Sequence, residues 1–238
     1  MTTSFFVTGT DTGVGKTLVS VGILAALRRR GLAVAALKPA ETGCARTEDG
    51  TLIPADGILL RAAAGLDDVP LDVIVPHRYA LPAAPAVAGR VEDVTFSLPR
   101  VEKCRATLLA RAPRLLLVEG AGGLLVPFQD DLLCADLVAR LGLPVVIVAR
   151  AALGTINHTL LTVFEARRRG LKVAGVILNR LTEELGAAEP SNAEEIARLG
   201  NVTVLGTVPY LPPESRAIVD VADAVEEAVD LSVLLATA

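Results

Sequence analysis

The sequence predicts an α/β fold: a single domain, residues 1–238, built on a doubly wound, mostly parallel sheet. Three observations carry this. Apolar, strand-like runs recur at 4–8, 33–37, 114–118, 144–149, 172–178 and 202–206, with helix-like segments between most of them. Runs such as Leu115-Leu116-Leu117-Val118 and Val145-Val146-Ile147-Val148 are apolar throughout rather than alternating, as parallel strands covered on both faces require. The chain of 238 residues, 52% hydrophobic, is also long enough to bury a large core as one unit.

The first run, Phe5-Phe6-Val7, leads into Thr8-Gly9-Thr10-Asp11-Thr12-Gly13-Val14-Gly15-Lys16-Thr17, and apolar residues Leu18, Val21, Ile23, Leu24 and Leu27 then recur at helical spacing. A glycine-rich loop between a strand and a helix turns backbone N–H groups onto a polyphosphate, its lysine reaches the phosphoryl group, and its threonine hydroxyl can ligate Mg²⁺. The fold expected is therefore P-loop NTPase-like. The spacing is a variant of G-x-x-x-x-G-K-[ST], because the leading glycine is Gly9 and Thr10 stands where the strict motif has it. The plainer reading is a glycine-rich turn that caps a helix.

Arg28-Arg29-Arg30-Gly31 closes the first helix, and Arg167-Arg168-Arg169-Gly170 closes a later one in the same frame, Arg-Arg-Arg-Gly-Leu-x-Val-Ala. Cations against the negative end of a helix dipole, followed by glycine at the cap, account for both. Residues 70–95, rich in proline and alanine, interrupt the strand–helix rhythm and are expected to form a loop with short extended pieces.

A formal charge of −4 opposes a general nucleic-acid binder, which needs a basic stripe. Cys44, Cys104 and Cys134 are odd in number and show no C-x-x-C spacing, so a reducing compartment is expected. Mean hydropathy is +0.52, yet charges or turn residues interrupt each apolar stretch. With no leader pattern before the first strand, a cytoplasmic protein without a membrane partner is expected.

Ligands of parallel α/β sheets bind beyond the carboxyl ends of the strands. Glu119 ends the third run, where a carboxylate suits Mg²⁺ beside Thr17, or alternatively a salt bridge or a cap. Gly120, Ala121, Gly122 and Gly123 suit close backbone approach to a ligand, or a turn. Lys38 ends the second run before Pro39. Together with Lys16 it would make a doubly cationic pocket that stabilises charge on a transferred group, or it is simply solvated. Leu153-Gly154-Thr155-Ile156-Asn157-His158 opens a helix whose free N–H groups suit a carboxylate, or Thr155 is a plain N-cap. His77 and His158 have no metal-ligand partner at helical spacing and read as structural.

With Gly-Thr-Asp-Thr-Gly-Val-Gly-Lys-Thr at 9–17, Lys-Pro-x-x-Thr-Gly at 38–43, Val-Glu-Gly-Ala-Gly-Gly at 118–123 and Leu-Gly-Thr-Ile-Asn-His at 153–158, the chain resembles the dethiobiotin synthetases. The resemblance implies a homodimer that uses ATP and Mg²⁺ to join CO₂ to 7,8-diaminononanoate, through a carbamate and its phosphoryl anhydride. By the same resemblance, Thr12, Lys16, Lys38 and Thr42 hold the diamine and its carbamate, and Lys16, Lys38 and Thr12 are catalytic. Gly13, Val14, Gly15, Lys16, Thr17 and Leu18 wrap the phosphates, and Thr17, Asp56 and Glu119 place Mg²⁺, with Asp49 a nearby competitor for Asp56. Gly154, Thr155, Ile156 and Asn157 receive the substrate's tail carboxylate across the dimer, while Asn179, Pro209 and Glu214 border the nucleotide base.

Position 13 is Gly where some relatives carry Glu, position 42 is Thr where some carry Ser, and Arg180 follows Asn179 where an acid is frequent. A partition-type regulatory P-loop ATPase is the alternative. Such proteins use a second lysine early in the loop, where this chain has Thr10, Asp11 and Thr12. An amide-forming synthetase would need a glutaminase domain.

Overall fold

The computed structural model describes residues 2–184 and 189–236. Among these, six strands form one wholly parallel sheet in the order Val204–Val208, Val173–Asn179, Val145–Arg150, Thr3–Gly9, Leu115–Gly123, Val34–Leu37. Each expected run lies on one of these strands, within about two residues at most ends. Leu115–Gly123 alone runs well past the expected segment, through Gly123. The unbroken apolar runs are unbroken because both faces are covered: Phe5, Phe6, Val7, Leu115 to Val118 and Val145 to Val148 are all fully buried.

The first strand sits at the centre, with Phe6 in register with Val145 on one side and Val118 on the other. Its helix, Lys16–Arg29, packs on Ile218–Ala228 and on Ala55–Ala64. Gly22 lets the first of these contacts close, since a Cβ there would lie 2.3 Å from Val225 Cγ2. A mid-helix glycine costs up to about 1 kcal/mol, and close packing is what offsets it.

Both arginine triplets end helices as expected. Gly31 (φ 79°) and Gly170 (φ 73°) adopt the left-handed turn, and Leu32 and Leu171 donate back to Leu27 and Ala166. The triplets also tie elements together: Arg29 and Arg30 pair with Glu226, and Arg167 donates to the carbonyls of Gly200 and Asn201. The three cysteines are free and buried, and no helix is long and apolar enough to cross a membrane among the described residues.

The stretch 70–95 departs from the expectation. It holds a helix, Pro85–Glu92, and a single turn, Leu71–Ile74, besides the short strand His77–Arg78. Pro85 takes the first turn of its helix, where no N–H is needed, and Ala86 and Ala88 turn inward. Proline here starts a helix, so a proline-rich composition pointed the wrong way. His77–Arg78 pairs in parallel with Ala40–Glu41, so the whole stretch anchors the segment that follows Lys38.

Candidate nucleotide and anion site

The loop after the first strand is shaped by its glycines. Gly13 (φ 76°) and Gly15 (φ 92°) lie in the left-handed region, and Gly15 is the N-cap of Lys16–Arg29. No side chain caps that helix, so its first N–H groups remain for an anion. The Asn179 side-chain amide donates to the Val14 carbonyl at 3.0 Å. A Cβ on Gly15 would meet that amide nitrogen at 2.1 Å. The displaced leading glycine has a local cause as well. A Cβ at Gly9 would lie 2.7 Å from the Asp11 carbonyl and 3.2 Å from Lys16 Nζ, whereas Thr10 is still bonded to the sheet through Val148.

Lys16 Nζ donates to the Asp11 carbonyl at 3.3 Å and is largely buried. Burial pulls its pKa below the usual lysine value, opposed by Glu119 and reinforced by the like charge of Lys38. Lys38, at the end of its strand and 4% exposed, donates to Asp56 Oδ2 at 2.5 Å and to Glu119 Oε1 at 2.6 Å. Burial would lower its pKa, but the two carboxylates outweigh burial and hold it above the ordinary value.

Glu119 is fully buried, where an unpaired carboxylate would cost several kcal/mol, roughly as for any ion in low dielectric. Its Oε1 is met by Lys38 and by the Thr17 hydroxyl at 2.8 Å, while its Oε2 has no partner. The solvated-lysine reading of Lys38 and the capping reading of Glu119 are thereby displaced by one buried ionic cluster, in which the alternative of a salt bridge at Glu119 is realised with Lys38.

Lys16, Thr17, Lys38 and Asp56 line a cavity of about 320 Å³ that also takes in Thr12, Gly13, Gly15, Leu18, Thr42, Gly120, Ala121 and Gly122, with Glu119 buried behind Thr17 and Lys38. Lys16 and Lys38 face the same space. Gly120 to Gly123 continue the strand rather than turning, with Gly120, Ala121 and Gly122 on the cavity, and two of the glycines also let parts of the protein come close. A Cβ on Gly120 would meet the Phe6 ring at 2.7 Å, and one on Gly123 the Gly9 carbonyl at 3.0 Å. Asp56 stands at the rim with 39% of its side chain exposed. Asp49 lies elsewhere, closing a turn with the hydroxyl of Thr47 and the N–H of Thr51.

Other expected site residues are not gathered here in the single chain. Gly154 (φ 90°) is the N-cap of Thr155–Arg168, so Thr155 is not the cap; it is buried within the first turn, with Asn157 exposed beside it. Gly154, Thr155, Ile156 and Asn157 do not line the cavity. Asn179 adjoins the loop through Val14 and keeps a buried, unpartnered Oδ1, while Pro209 and Glu214 are exposed beyond the last strand.

His77 is structural: Nδ1 meets the Pro39 carbonyl at 2.9 Å and Nε2 accepts the Ser97 N–H at 3.0 Å. Glu41, given no role from the sequence, lines the cavity and accepts the backbone N–H groups of Asp56 and Gly57, both at 2.9 Å. One signal was available. Pro54, before the Ala55–Ala64 helix, has no side-chain acceptor, so that helix needs its cap from elsewhere.

Residues 3–217 match the family model described as an AAA domain. The chain is 48% identical over 211 residues to the ATP-dependent dethiobiotin synthetase BioD of Anaeromyxobacter dehalogenans (strain 2CP-C), covering 89% of this chain and 92% of the relative. It is 41% identical over 219 residues to the protein of that name from Thermodesulfovibrio yellowstonii, covering 89% and 90%. The Bacillus subtilis subsp. natto protein of that name is 37% identical over 231 residues, covering 97% and 96%.

Among solved structures, the septum site-determining protein MinD complexed with Mg-ADP from Pyrococcus horikoshii OT3 superposes with TM-score 0.57 at 17% identity, covering 95% of this chain and 96% of that one. A ParA family ATPase from Chlorobium tepidum TLS gives 0.53 at 13%, covering 95% and 91%. At those identities the likeness is one of fold.

Proposed function

This chain belongs to the ATP-dependent dethiobiotin synthetase family, and from that premise we propose that it joins CO₂ to 7,8-diaminononanoate with ATP, closing the cyclic urea of dethiobiotin and releasing ADP and phosphate. It is an ATP-dependent ligase. The observation that carries the reading is the convergence of Lys16 and Lys38 on one cavity at the phosphate loop.

In the proposed sequence one substrate amine adds to CO₂ and loses a proton, giving a carbamate. A carbamate oxygen takes the γ-phosphoryl group, and ADP departs. The second amine then attacks the carbamoyl carbon and loses a proton, the C–O bond to phosphate breaks with phosphate as leaving group, and the ring closes. The carbamate, its phosphoryl anhydride and the ATP phosphates are all anionic. Lys16 lies where the loop would hold the phosphoryl group and Lys38 where it would hold the carbamate, so both supply fixed positive charge in a buried setting. Thr12 and Thr42 offer hydroxyls at the mouth of the same cavity.

The residues fit Mg²⁺. Thr17, Asp56 and Glu119 are hard oxygen donors, and Glu119 Oε2 is a buried acceptor that lacks a partner. Two ammonium groups, Lys16 and Lys38, also face three carboxylates, Glu41, Asp56 and Glu119, so an arriving polyphosphate needs further positive charge. Bound there, the ion would neutralise phosphate oxygens.

Gly13, Val14, Gly15 and Leu18 would wrap those oxygens. The orphaned Asn179 Oδ1 supports an amino group of the base bound between Asn179, Pro209 and Glu214.

A homodimer completes the reading. Leu153, Leu161 and Phe164 on or beside the Thr155–Arg168 helix are exposed, as is Leu125. A groove of about 400 Å³ runs between Leu161 and the Gly9–Thr12 backbone. A partner seated there would bring its own Gly154–Asn157 turn toward the diamine's tail carboxylate. The three free cysteines suit the cytoplasm. The test is incubation with diaminononanoate, bicarbonate, ATP and Mg²⁺, with dethiobiotin scored by mass. A folded enzyme that yields none would reject the assignment.

A further inference from the structure

We propose that Glu41 is a positioning residue: from the Lys38 segment it caps a helix that begins fourteen residues downstream and thereby fixes where Asp56 presents its carboxylate. The inference rests on the reaction proposed above for its consequences, and on geometry for itself. The Ala55–Ala64 helix is reached through an exposed stretch, Ala45 to Thr51, and its N-cap, Pro54, makes no side-chain cap bond. Two first-turn N–H groups are satisfied from outside, Asp56 N–H by Glu41 Oε1 and Gly57 N–H by Glu41 Oε2, each at 2.9 Å. A carboxylate spanning two helix N-terminal amides is well matched to the dipole there.

The seat itself is rigid. The Glu41 carbonyl accepts the Tyr79 N–H at 2.9 Å, and Ala40–Glu41 pairs with His77–Arg78. On the helix side, a Cβ at Gly57 would come 2.2 Å from Val75 Cγ2, so only glycine lets the helix start come this close. Asp56 in turn reaches Lys38 Nζ at 2.5 Å, which closes a ring Lys38–Glu41–Asp56–Lys38 through the chain, two hydrogen bonds and one ion pair. An isosteric amide cannot reproduce it, because Gln offers one acceptor and turns an NH₂ toward the other N–H.

Glu41→Gln and Glu41→Ala, made in the full chain and checked for folding by circular dichroism and melting, test this. In metal-free protein, amides 55–60 should exchange about fivefold faster than in the wild type, the ratio expected when one helix cap is lost. Half-saturating Mg²⁺ for binding of a fluorescent ADP should rise about 10- to 100-fold, as for outer-sphere partners of metal ligands, with ADP binding in EDTA unchanged. In the product assay kcat should fall with little change in the KM for ATP.

If Glu41→Ala does not fold, the isosteric Gln variant carries the test. Unchanged exchange, or faster exchange with unchanged Mg²⁺ half-saturation, overturns the proposal. A wild type that makes no dethiobiotin would instead sink the reaction, while exchange and the Mg²⁺ titration still judge Glu41.

Discussion

Replacing Lys38 by glutamine removes the cation that touches both Asp56 and Glu119. Its contacts of 2.5 Å to Asp56 and 2.6 Å to Glu119 correspond to about 6 kcal/mol of gross attraction each at an effective dielectric near 20. Burial of the ammonium offsets much of this. Breaking one partner out of a buried pair costs about 3–5 kcal/mol, and the part-exposed Asp56 places the loss near the lower figure, roughly 6–12 °C in Tm for a domain of this size.

The catalytic loss is separate. Removing a preorganised donor from developing charge lowers kcat about 10²- to 10³-fold, or roughly 3–4 kcal/mol. Dethiobiotin formation measured against ATP and against the diamine should show that fall in kcat with the KM for ATP nearly unchanged. A wild-type kcat, or a KM for ATP that rises as far as kcat falls, would show that the lysine serves the nucleotide or nothing in the reaction.

Gly22→Ala sets helix propensity against packing. The gain of up to about 1 kcal/mol in propensity should lose to an overpacking cost of about 1–3 kcal/mol, because the new Cβ meets Val225 Cγ2 at 2.3 Å and the Val221 carbonyl at 2.9 Å. A raised melting temperature would contradict this. Gly15→Ala should abolish measurable ADP binding while leaving the far-ultraviolet dichroism intact, since the residue needs φ 92° and its Cβ would strike Asn179; wild-type affinity by calorimetry would refute it.

Burial holds the His77 pKa below the ordinary 6.5, partly opposed by the bond to Pro39. The unfolded chain therefore binds the proton first, so this group's stabilising contribution is complete above about pH 6.5 and is lost as pH falls through the folded value. An NMR titration of the imidazole should give a midpoint under 6.5, and one at or above it would be inconsistent with the buried, neutral ring.

Much of this was legible in the chain because parallel strands buried on both faces advertise themselves as unbroken apolar runs, and their carboxyl ends point at a single crevice. That rule singles out the phosphate loop, Lys38 and Glu119 as candidates; the loop and Lys38 line one cavity, and Glu119 is bonded to Lys38 and Thr17 just beneath it. What stayed hidden depends on contacts distant in sequence. The pairing of Ala40–Glu41 with His77–Arg78 spans two residues on each side, too short for any periodicity. The Pro85–Glu92 helix was obscured because proline reads as a breaker unless its first-turn position is known.

Glu41 is a cap for a helix that begins fourteen residues later, so no local pattern marks it. Asp49 and Asp56 look alike in sequence, and only the fold separates a turn-closing carboxylate from one resting on Lys38. Gly154 to Asn157 are legible as a helix start, but the proposed place near a substrate would need a second copy of the chain, which no pattern within one chain records.

In the proposed reaction a carbamate oxygen attacks the γ-phosphoryl group between Lys16 and Lys38, and oxygen labelling follows that bond directly. With ¹⁸O-bicarbonate, sampled before exchange with solvent, the released phosphate should carry one ¹⁸O from the carbamate and dethiobiotin should keep the other in its urea carbonyl. Phosphate free of label, formed together with dethiobiotin, would mean that no carbamate oxygen ever bonded to phosphorus, and would contradict the chemistry assigned to this site.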